Sequence, residues 1–459
     1  MLFRPNIKKY CHAGRLYPGN NPTGPYRRAS GAETLMKKSI AIVVGGLLLA
    51  FTGLPAQINR IQFNNQNLFL SGVNLAWSSF ADDIGPDPTT PATNHFADVF
   101  SQIRANGGNS MRLWLHTTGA ITPAWNGNTV TGPGDNTIAD LKTILDIAWT
   151  NKVGVILCLW SFDMLRINNG TNITSRAQAI LTNSVCRQAY ITNCLVPMVQ
   201  ALKGHPAIIA WEIFNEPEGM SNEFGWSFNY HVPMAAIQAF INQCAGAIHQ
   251  ADPKAKVTNG SWSFYAATEA GTGNHNYYSD WRLLRAGGDT NGYLDFYTVH
   301  YYDWAGTARS PFQYPCSYWQ LDKPLVIAEF YPPPYCNYCG DTPYENLYEN
   351  GYAGALTWSW TDVYPPLMLD QLAAMYSAHP ADVYIIDTGM LRLSVSLTTT
   401  NTAIVSWPSP ATGWSLQQNA DLATTNWITP PENVCDDGTN KYIIVTAPGG
   451  AIFYRLYHQ

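Results

Sequence analysis

Apolar runs alternate with amphipathic segments along the chain from Leu68 to about residue 380. Eight runs rich in apolar and β-branched residues predict strands at Leu68–Trp77, Ser110–His116, Val153–Trp160, Ile208–Glu216, Lys256–Trp262, Leu294–Tyr302, Pro324–Phe330 and Ala353–Trp360. Helical spacing predicts helices over residues 95–106, 136–151, 175–203, 233–250, 280–286, 342–351 and 366–378, with a weak segment at 311–320. This alternation predicts an α/β protein with a parallel (β/α)8 barrel, a TIM barrel, over residues 57–388.

The pattern changes after about Thr388 to short alternating β runs separated by Pro, Gly, Asn and Asp. These runs are Leu391–Thr398, Thr402–Trp407, Trp414–Gln418 and Lys441–Thr446. They predict a separate all-β module over residues 389–459, with the size of an immunoglobulin-like sandwich. Its three tryptophans, Trp407, Trp414 and Trp427, are expected to be core residues rather than sugar-binding ones.

The beginning of the chain has the pattern of a secretory signal. Met36-Lys37-Lys38 precedes an apolar stretch, Ile40 to Leu54, and a small residue, Ala56, follows it. A signal peptide over residues 36–56 is therefore predicted, and a membrane anchor is disfavoured because the apolar stretch is short. We expect residues 1–35 to be an upstream extension outside the fold, and the mature protein to be secreted, extracellular or periplasmic.

The amino-acid composition excludes several classes of function. The chain is 46% hydrophobic and only 13% charged, with 16 Trp, 26 Tyr and 17 Phe. From Gln57 onward it holds 18 basic and 31 acidic residues. This composition argues against disorder, nucleic-acid binding and membrane-surface partners, and we expect a monomer. The aromatic excess needs its own explanation.

The chain has nine cysteines, and the predicted export would place it in a compartment where disulfides can form. Three of these cysteines, Cys316, Cys336 and Cys339, lie in one loop-rich stretch. Cys336 and Cys339 have the spacing of a metal knuckle. A second knuckle and a nearby histidine are missing, so a disulfide staple is favoured over a zinc site. The pairing stays open.

Functional groups of such barrels lie at the carboxyl ends of the strands. Glu216 ends the fourth strand and Glu329 the seventh, so two carboxylates are predicted to face one mouth. Two carboxylates across a glycosidic bond are the minimum machinery for its hydrolysis, and aromatic rings stack on sugars. The other candidate substrate-binding residues at strand ends are Arg112, His116, Trp160, Asn215, Trp262, His300, Tyr302, Trp358 and Trp360.

The segment Ile209–Glu218 resembles the Asn-Glu-Pro signature of glycoside hydrolase clan A, particularly family 5. Lys323–Phe330 resembles the nucleophile segment of that family, and Gly72-Val73-Asn74 also matches. The resemblance covers roughly residues 58–380. It implies a retaining double displacement with Glu216 as acid/base and Glu329 as nucleophile, without metal or cofactor.

The resemblance also implies roles for the binding residues. Asn215 would bond the sugar 2-hydroxyl, and Arg112 with Tyr302 would keep the nucleophile ionised. His300 would bind substrate or tune Glu216. Trp358 or Trp360 would form the subsite floor at the cleavage point.

The roles of some residues near the mouth stay undecided from the sequence. Trp160 stands where many relatives have a histidine, with Asp163 as a possible substitute in that subsite, and His116 is either a ligand or a polar cap. Mid-strand Glu212 is expected to make interior hydrogen bonds. Solvated positions are expected for the carboxylates of the mouth loops, Glu218, Glu223, Asp303 and Asp362.

The motif Ala-Trp-Glu-x-x-Asn-Glu-Pro, residues 210–217, resembles that of mannan-active members. Cleavage of β-1,4-mannan by an endo-mannanase is therefore the leading hypothesis. A cellulase or another β-glycoside-active clan member is the alternative, and an inactive sugar-binding barrel is a third. Both carboxylates are retained, which favours catalysis.

Overall fold

The computed structural model describes residues 59–85, 91–386, 393–398, 402–409, 411, 413–438, 440–446 and 450–458. The predicted signal peptide and upstream extension lie outside these residues. Within them, no helix combines the length and the apolar character that crossing a bilayer requires.

Eight parallel strands close into a barrel, which confirms the predicted TIM-barrel fold. Short antiparallel hairpins flank it at Ile61–Phe63 with Gln66–Leu68 and at Ala124–Asn126 with Thr129–Gly132. The barrel strands are β1 (Leu70–Asn74), β2 (Ser110–Thr117), β3 (Gly154–Ser161), β4 (Ile208–Asn215), β5 (Val257–Ser261), β6 (Tyr297–His300), β7 (Leu325–Glu329) and β8 (Gly354–Thr357). They follow one another around the ring in chain order, and β8 pairs with β1.

Helices follow most strands at the predicted places. They are α1 (Thr93–Ala105), α2 (Thr137–Thr150), α3 (Thr171–Thr182), α4 (Ser184–Tyr190), α5 (Val196–Ala201), α6 (Met234–Ala251), α7 (Phe264–Ala267), α8 (Asp280–Gly287), α9 (Pro343–Glu349), α10 (Pro366–Ala378) and α11 (Pro380–Val383). The long helix predicted over 175–203 is interrupted at Asn183, whose side chain caps α4 by accepting from the Val185 and Cys186 N–H groups. A π turn, Ile191–Leu195, joins α4 to α5.

The barrel strands are buried on both faces, which is why they read as continuous apolar runs. One face fills the barrel interior, for example with Ile156, Ala210 and Val326. The other face packs against the helices in a larger core that includes Phe100 and Leu141.

The C-terminal residues form two antiparallel sheets, which confirms the all-β prediction. Their strands are β9 (Ser394–Leu397), β10 (Thr402–Pro408), β11 (Trp414–Asn419), β12 (Cys435–Asp436), β13 (Asn440–Thr446) and β14 (Phe453–His458). They share an apolar cluster that includes Val405, Trp407 and Ile443, with Trp414 packed against it. Trp407 is therefore a core residue as predicted. Trp427 is half-buried under the Arg455 guanidinium, 4.3 Å from its ring centre.

The eight cysteines of the described segments are all free thiols, so the expected disulfide staple is not formed. The Cys339 thiol lies instead 3.5 Å from the carbonyl oxygen of Cys336 and 3.9 Å from that of Tyr331. This thiol is thus directed toward backbone acceptors.

Candidate active site

The backbone places Glu216 at the barrel mouth. Strand β4 ends at Asn215, and Glu216 adopts a left-handed conformation with φ 48° and ψ 52°. Its N–H donates to the Gly260 carbonyl at 2.8 Å, and the chain then enters a 3₁₀ turn, Pro217–Met220. The register between β4 and β5 shifts between Glu212 and Asn215. This irregularity brings Asn215 into contact with Arg112 inside the barrel, 2.9 Å away.

Glu329 ends β7 and is held by two donors. Arg112 Nη1 donates to its Oε1 at 2.6 Å, and the Tyr302 hydroxyl donates to its Oε2 at 2.8 Å. Only 4% of the side chain is exposed. The cation and the hydroxyl both favour the ionised form of this carboxyl group.

Arg112 is completely buried and connects several strand ends. Its Nε donates to both oxygens of Glu212 at 3.0 Å, Nη2 also bonds Glu212, and Nη1 contacts Asn74 Oδ1 at 3.2 Å. Glu212 is equally buried, so its expected interior role is confirmed. Gly260 leaves room for this pair, because a Cβ there would lie 2.8 Å from both Arg112 Nη2 and Glu212 Oε1.

His300 lies beside both candidate catalytic carboxyl groups. Its Nδ1 is 2.8 Å from Glu216 Oε1 and 3.5 Å from Glu329 Oε2. Burial and the nearby Arg112 charge hold the pKa of His300 well below its usual value, so the ring is neutral. Its Nε2 is buried and meets no hydrogen-bond partner in the described part of the chain.

The two carboxyl groups are close together. One donor atom from each of Glu216, His300 and Glu329 lies within 4.8 Å of the others. Retaining glycosidases place their carboxyl groups about 5–5.5 Å apart, whereas inverting ones need about 6.5–9.5 Å for an intervening water. The arrangement therefore matches retention.

Electrostatics distinguish the two carboxyl groups. Burial raises the pKa of Glu216 well above its usual value, and the Glu329 charge raises it further. Burial also raises the pKa of Glu329, to about 7, against the opposing effects of Arg112 and Tyr302. A proton shared by this pair is therefore expected on Glu216, with Glu329 ionised, which is the state that acid catalysis requires.

The same three residues have the spacing of a cation site. Both Glu329 oxygens already accept hydrogen bonds, however, and one bonds the Arg112 guanidinium, which supplies positive charge there. The donor set thus fits an acid–base pair better than a metal ligand set. Hydrolysis by paired carboxylates needs only water.

Two aromatic clusters lie at opposite sides of the mouth, since β1 and β5 are opposite in an eight-strand ring. One follows β5 and β6, where half-buried Trp262 stacks on exposed Trp304 at 4.7 Å and 16°. The other joins half-buried Trp358 to Trp77 and Trp114 at 6.0 and 5.6 Å. Trp360 is largely buried, so Trp358 is the more accessible of the two rings after β8.

The predictions for Trp160 and His116 are wrong, because both side chains lie in the core between strands and helices. Trp160 has no exposed surface and packs against His116 and Tyr190 of α4, with ring centres 4.7 and 5.4 Å away. His116 Nδ1 bonds the Thr122 hydroxyl at 2.9 Å. Burial lowers the pKa of His116 to about 3, so it is a neutral core histidine.

Asp163 and Glu218 also differ from expectation. Asp163 is buried, forms an ion pair with Arg166 and accepts from the Ser161 hydroxyl at 2.6 Å. Glu218 is completely buried rather than solvated, and burial raises its pKa to about 7. Asp303 is half-buried, and the remaining loop carboxylates, Glu223 and Asp362, are exposed as expected.

A closed (β/α)8 barrel with two neighbouring, largely buried carboxyl groups at its mouth, between aromatic clusters, is the arrangement of a glycoside hydrolase. Residues 70–323 match the profile of a family described as Cellulase (glycosyl hydrolase family 5). The chain therefore belongs to glycosyl hydrolase family 5, as the resemblance implied, and is an O-glycosyl hydrolase.

Two proteins similar to this chain are described as mannan endo-1,4-beta-mannosidases. The chain is 36% identical to mannan endo-1,4-beta-mannosidase of Mytilus edulis over 69% of this chain and 91% of that protein. For the enzyme of Cryptopygus antarcticus the identity is 34%, over 67% and 84%.

Solved structures agree with this. The β-mannanase of Mytilus edulis superposes with a TM-score of 0.64 at 34% identity, over 70% of this chain and 94% of that one. The β-1,4-mannanase of Aplysia kurodai gives 0.65 at 31%, over 72% and 99%.

Proposed function

We propose that this protein is a retaining endo-β-1,4-mannanase. The observation that supports the mechanism is the Glu216–His300–Glu329 arrangement, with carboxyl groups too close for an intervening water. The substrate is proposed from the relatives, which are mannan endo-1,4-beta-mannosidases of which the chain covers 91% and 84%.

In the first step, the Glu329 carboxylate attacks the anomeric carbon while Glu216 gives its proton to the departing glycosidic oxygen. A covalent glycosyl-enzyme forms and the sugar on the leaving side departs. Arg112 and Tyr302 keep Glu329 ionised before attack, since both bond it directly. In the second step, Glu216 takes a proton from water, which attacks the anomeric carbon and releases Glu329.

The neighbouring groups orient the sugar. The Asn215 Oδ1 accepts from Arg112, and its amide nitrogen donates to the Ser161 hydroxyl at 3.5 Å. The second N–H of the amide is left to bond the 2-hydroxyl. His300 is neutral, and its Nδ1 forms a hydrogen bond with the Glu216 carboxyl group that transfers the proton. Trp262 and Trp358 offer faces for the apolar side of sugar rings.

The remaining proposals concern the whole chain. The signal peptide at residues 36–56 directs export, and the enzyme acts outside the cytoplasm as a monomer on polysaccharide. Residues 389–459 fold as a separate module. Their own apolar cluster, centred on Val405 and Ile443, supports this division.

Two variants and one control test the mechanism. Glu329→Ala abolishes turnover of every substrate because the nucleophile is gone. Glu216→Ala keeps the first step for an activated aryl manno-oligosaccharide, whose leaving group needs no proton, and azide then restores turnover with a β-glycosyl azide product. Glu223→Ala removes an exposed carboxylate of the same loop and leaves activity unchanged. An α-azide product, or full activity of Glu216→Ala on polysaccharide, contradicts the assignment.

The substrate is tested by product analysis on β-mannan, cellulose and xylan under one set of conditions. We expect manno-oligosaccharides of mixed length from mannan, released early. Faster hydrolysis of cellulose or xylan, or release of a single short product, contradicts the endo-mannanase proposal.

A further inference from the structure

Glu218 is a buried carboxyl group that the mechanism above does not use. It lies two residues after Glu216, in the turn Pro217–Met220, and has no exposed surface. Burying a carboxyl group costs free energy unless hydrogen bonds compensate. Its contacts therefore indicate what it stabilises.

Three donors converge on this carboxyl group. The Ser261 hydroxyl and the Tyr278 hydroxyl donate to Oε1 at 2.7 and 2.6 Å. The Trp262 backbone N–H faces Oε2 at 3.3 Å. Ser261 is the last residue of β5, so one side chain connects the turn after β4 to the end of β5 and to the loop that contains Tyr278.

We propose that Glu218 is a positioning residue that fixes the acid/base Glu216 and the Trp262 ring relative to each other. The reason is geometric. The Glu216 N–H bonds Gly260 on β5, and Glu218 bonds β5 again two residues later, so the turn is attached on both sides of its left-handed residue. The hydrogen bonds of Glu218 to Ser261 and to the Trp262 N–H therefore fix both the direction of the Glu216 carboxyl group and the position of Trp262.

This inference rests on the proposed role of Glu216 as acid/base. A displaced acid slows only reactions whose leaving group needs its proton, and a displacement of about 1 Å can cost about 100-fold. Loss of packing alone affects every substrate alike. The ratio of kcat/KM on mannan to kcat/KM on an activated aryl manno-oligosaccharide therefore separates the two explanations.

Glu218→Gln is the sharpest variant. The amide oxygen can still accept from Ser261 and Tyr278, but the amide N–H₂ then faces the Trp262 N–H, so one contact is replaced by two opposed donors. Tyr278→Phe removes a different donor and leaves the carboxyl group in place. Glu223→Gln is the matched control, because its carboxylate is exposed and its amide can still accept from the Met234 N–H.

We expect Glu218→Gln to lower kcat/KM on mannan by about 10- to 100-fold, and on the aryl substrate by less than about twofold. Tyr278→Phe should change the ratio in the same direction by a smaller factor, and it decides the question if Glu218→Gln does not fold. The control should keep the wild-type ratio. An unchanged ratio in folded Glu218→Gln, or in Tyr278→Phe if that is the folded variant, overturns the inference.

Glu216→Ala separates this failure from failure of the proposed function. If that variant shows the leaving-group dependence and the Glu218 variants do not, only the positioning role is wrong. If Glu216→Ala lacks the dependence, the acid/base assignment itself is wrong.

Discussion

Removing the charge of Glu212 tests the buried network beneath the catalytic carboxyl groups. In Glu212→Gln, the Arg112 guanidinium keeps Glu329 as its charged partner but loses the carboxylate that bonds Nε and Nη2. Breaking one side of a buried ion pair costs about 3–5 kcal/mol, because the remaining charge stays out of water. At about 2 °C per kcal/mol, the value for domains of roughly 250 residues, the unfolding midpoint should fall by about 6–10 °C.

The same change should shift the pH profile in a defined direction. The Glu212 charge is among the causes that raise the pKa of Glu329. Without it, that pKa falls, so the nucleophile stays ionised to lower pH and the acid limb of kcat/KM moves to lower pH. Activity changes should be equal for sugar and aryl leaving groups, since the proton donor is untouched.

The assay combines thermal unfolding followed by circular dichroism with kcat/KM measured from pH 4 to 8. Glu349→Gln is the control, because it removes an exposed charge at the end of α9. If the unfolding midpoint of Glu212→Gln lies within about 1 °C of the wild type, the fall is far smaller than a broken buried ion pair would cause, and the structural argument is refuted. Movement of the acid limb to higher pH refutes the electrostatic one.

Three further predictions follow from the site and the domain division. Trp160→Ala should lower stability by about 3–5 kcal/mol while KM for mannan stays unchanged, and a raised KM with normal stability would contradict its core position. Glu218→Gln should gain stability relative to the wild type as pH rises from about 4.5 to about 7, because the raised pKa makes charging Glu218 costly in the folded state; parallel unfolding curves against pH would contradict this. Truncation near Gly389 should leave a soluble, active barrel, measured by activity on mannan, and loss of all soluble protein would contradict independent folding.

The barrel strands were predictable because each is buried on both faces and so appears as an apolar run. All eight observed strands lie within or next to their predicted ranges. Strand β14 was missed because Phe453–His458 lacks a clear alternation and pairs with β11, far away in the chain. The break at Asn183 depends on one capping side chain inside a helical pattern.

The positions of Glu216 and Glu329 were predictable because strand ends meet at one mouth. The burial of His116 and Trp160 was not, since the pairing of β2 and β3 shifts between Trp114 and Thr117. Such an irregularity turns the following side chains to the other face, and a sequence pattern does not reveal it. Glu218 was misplaced for a similar reason, because the left-handed backbone of Glu216 decides where the next turn points.

Gly260 has a consequence for how this enzyme can evolve. Its missing side chain leaves the space that the Arg112–Glu212 pair occupies, and its carbonyl holds Glu216. Any single substitution there meets the ion pair, while replacing the pair alone leaves a cavity or an unpaired charge. Changes at these three positions, which lie on different strands, are therefore coupled, because each side chain limits what the other two positions can hold. Stepwise divergence is consequently directed to the mouth loops, where substrate preference can change while the reaction stays the same.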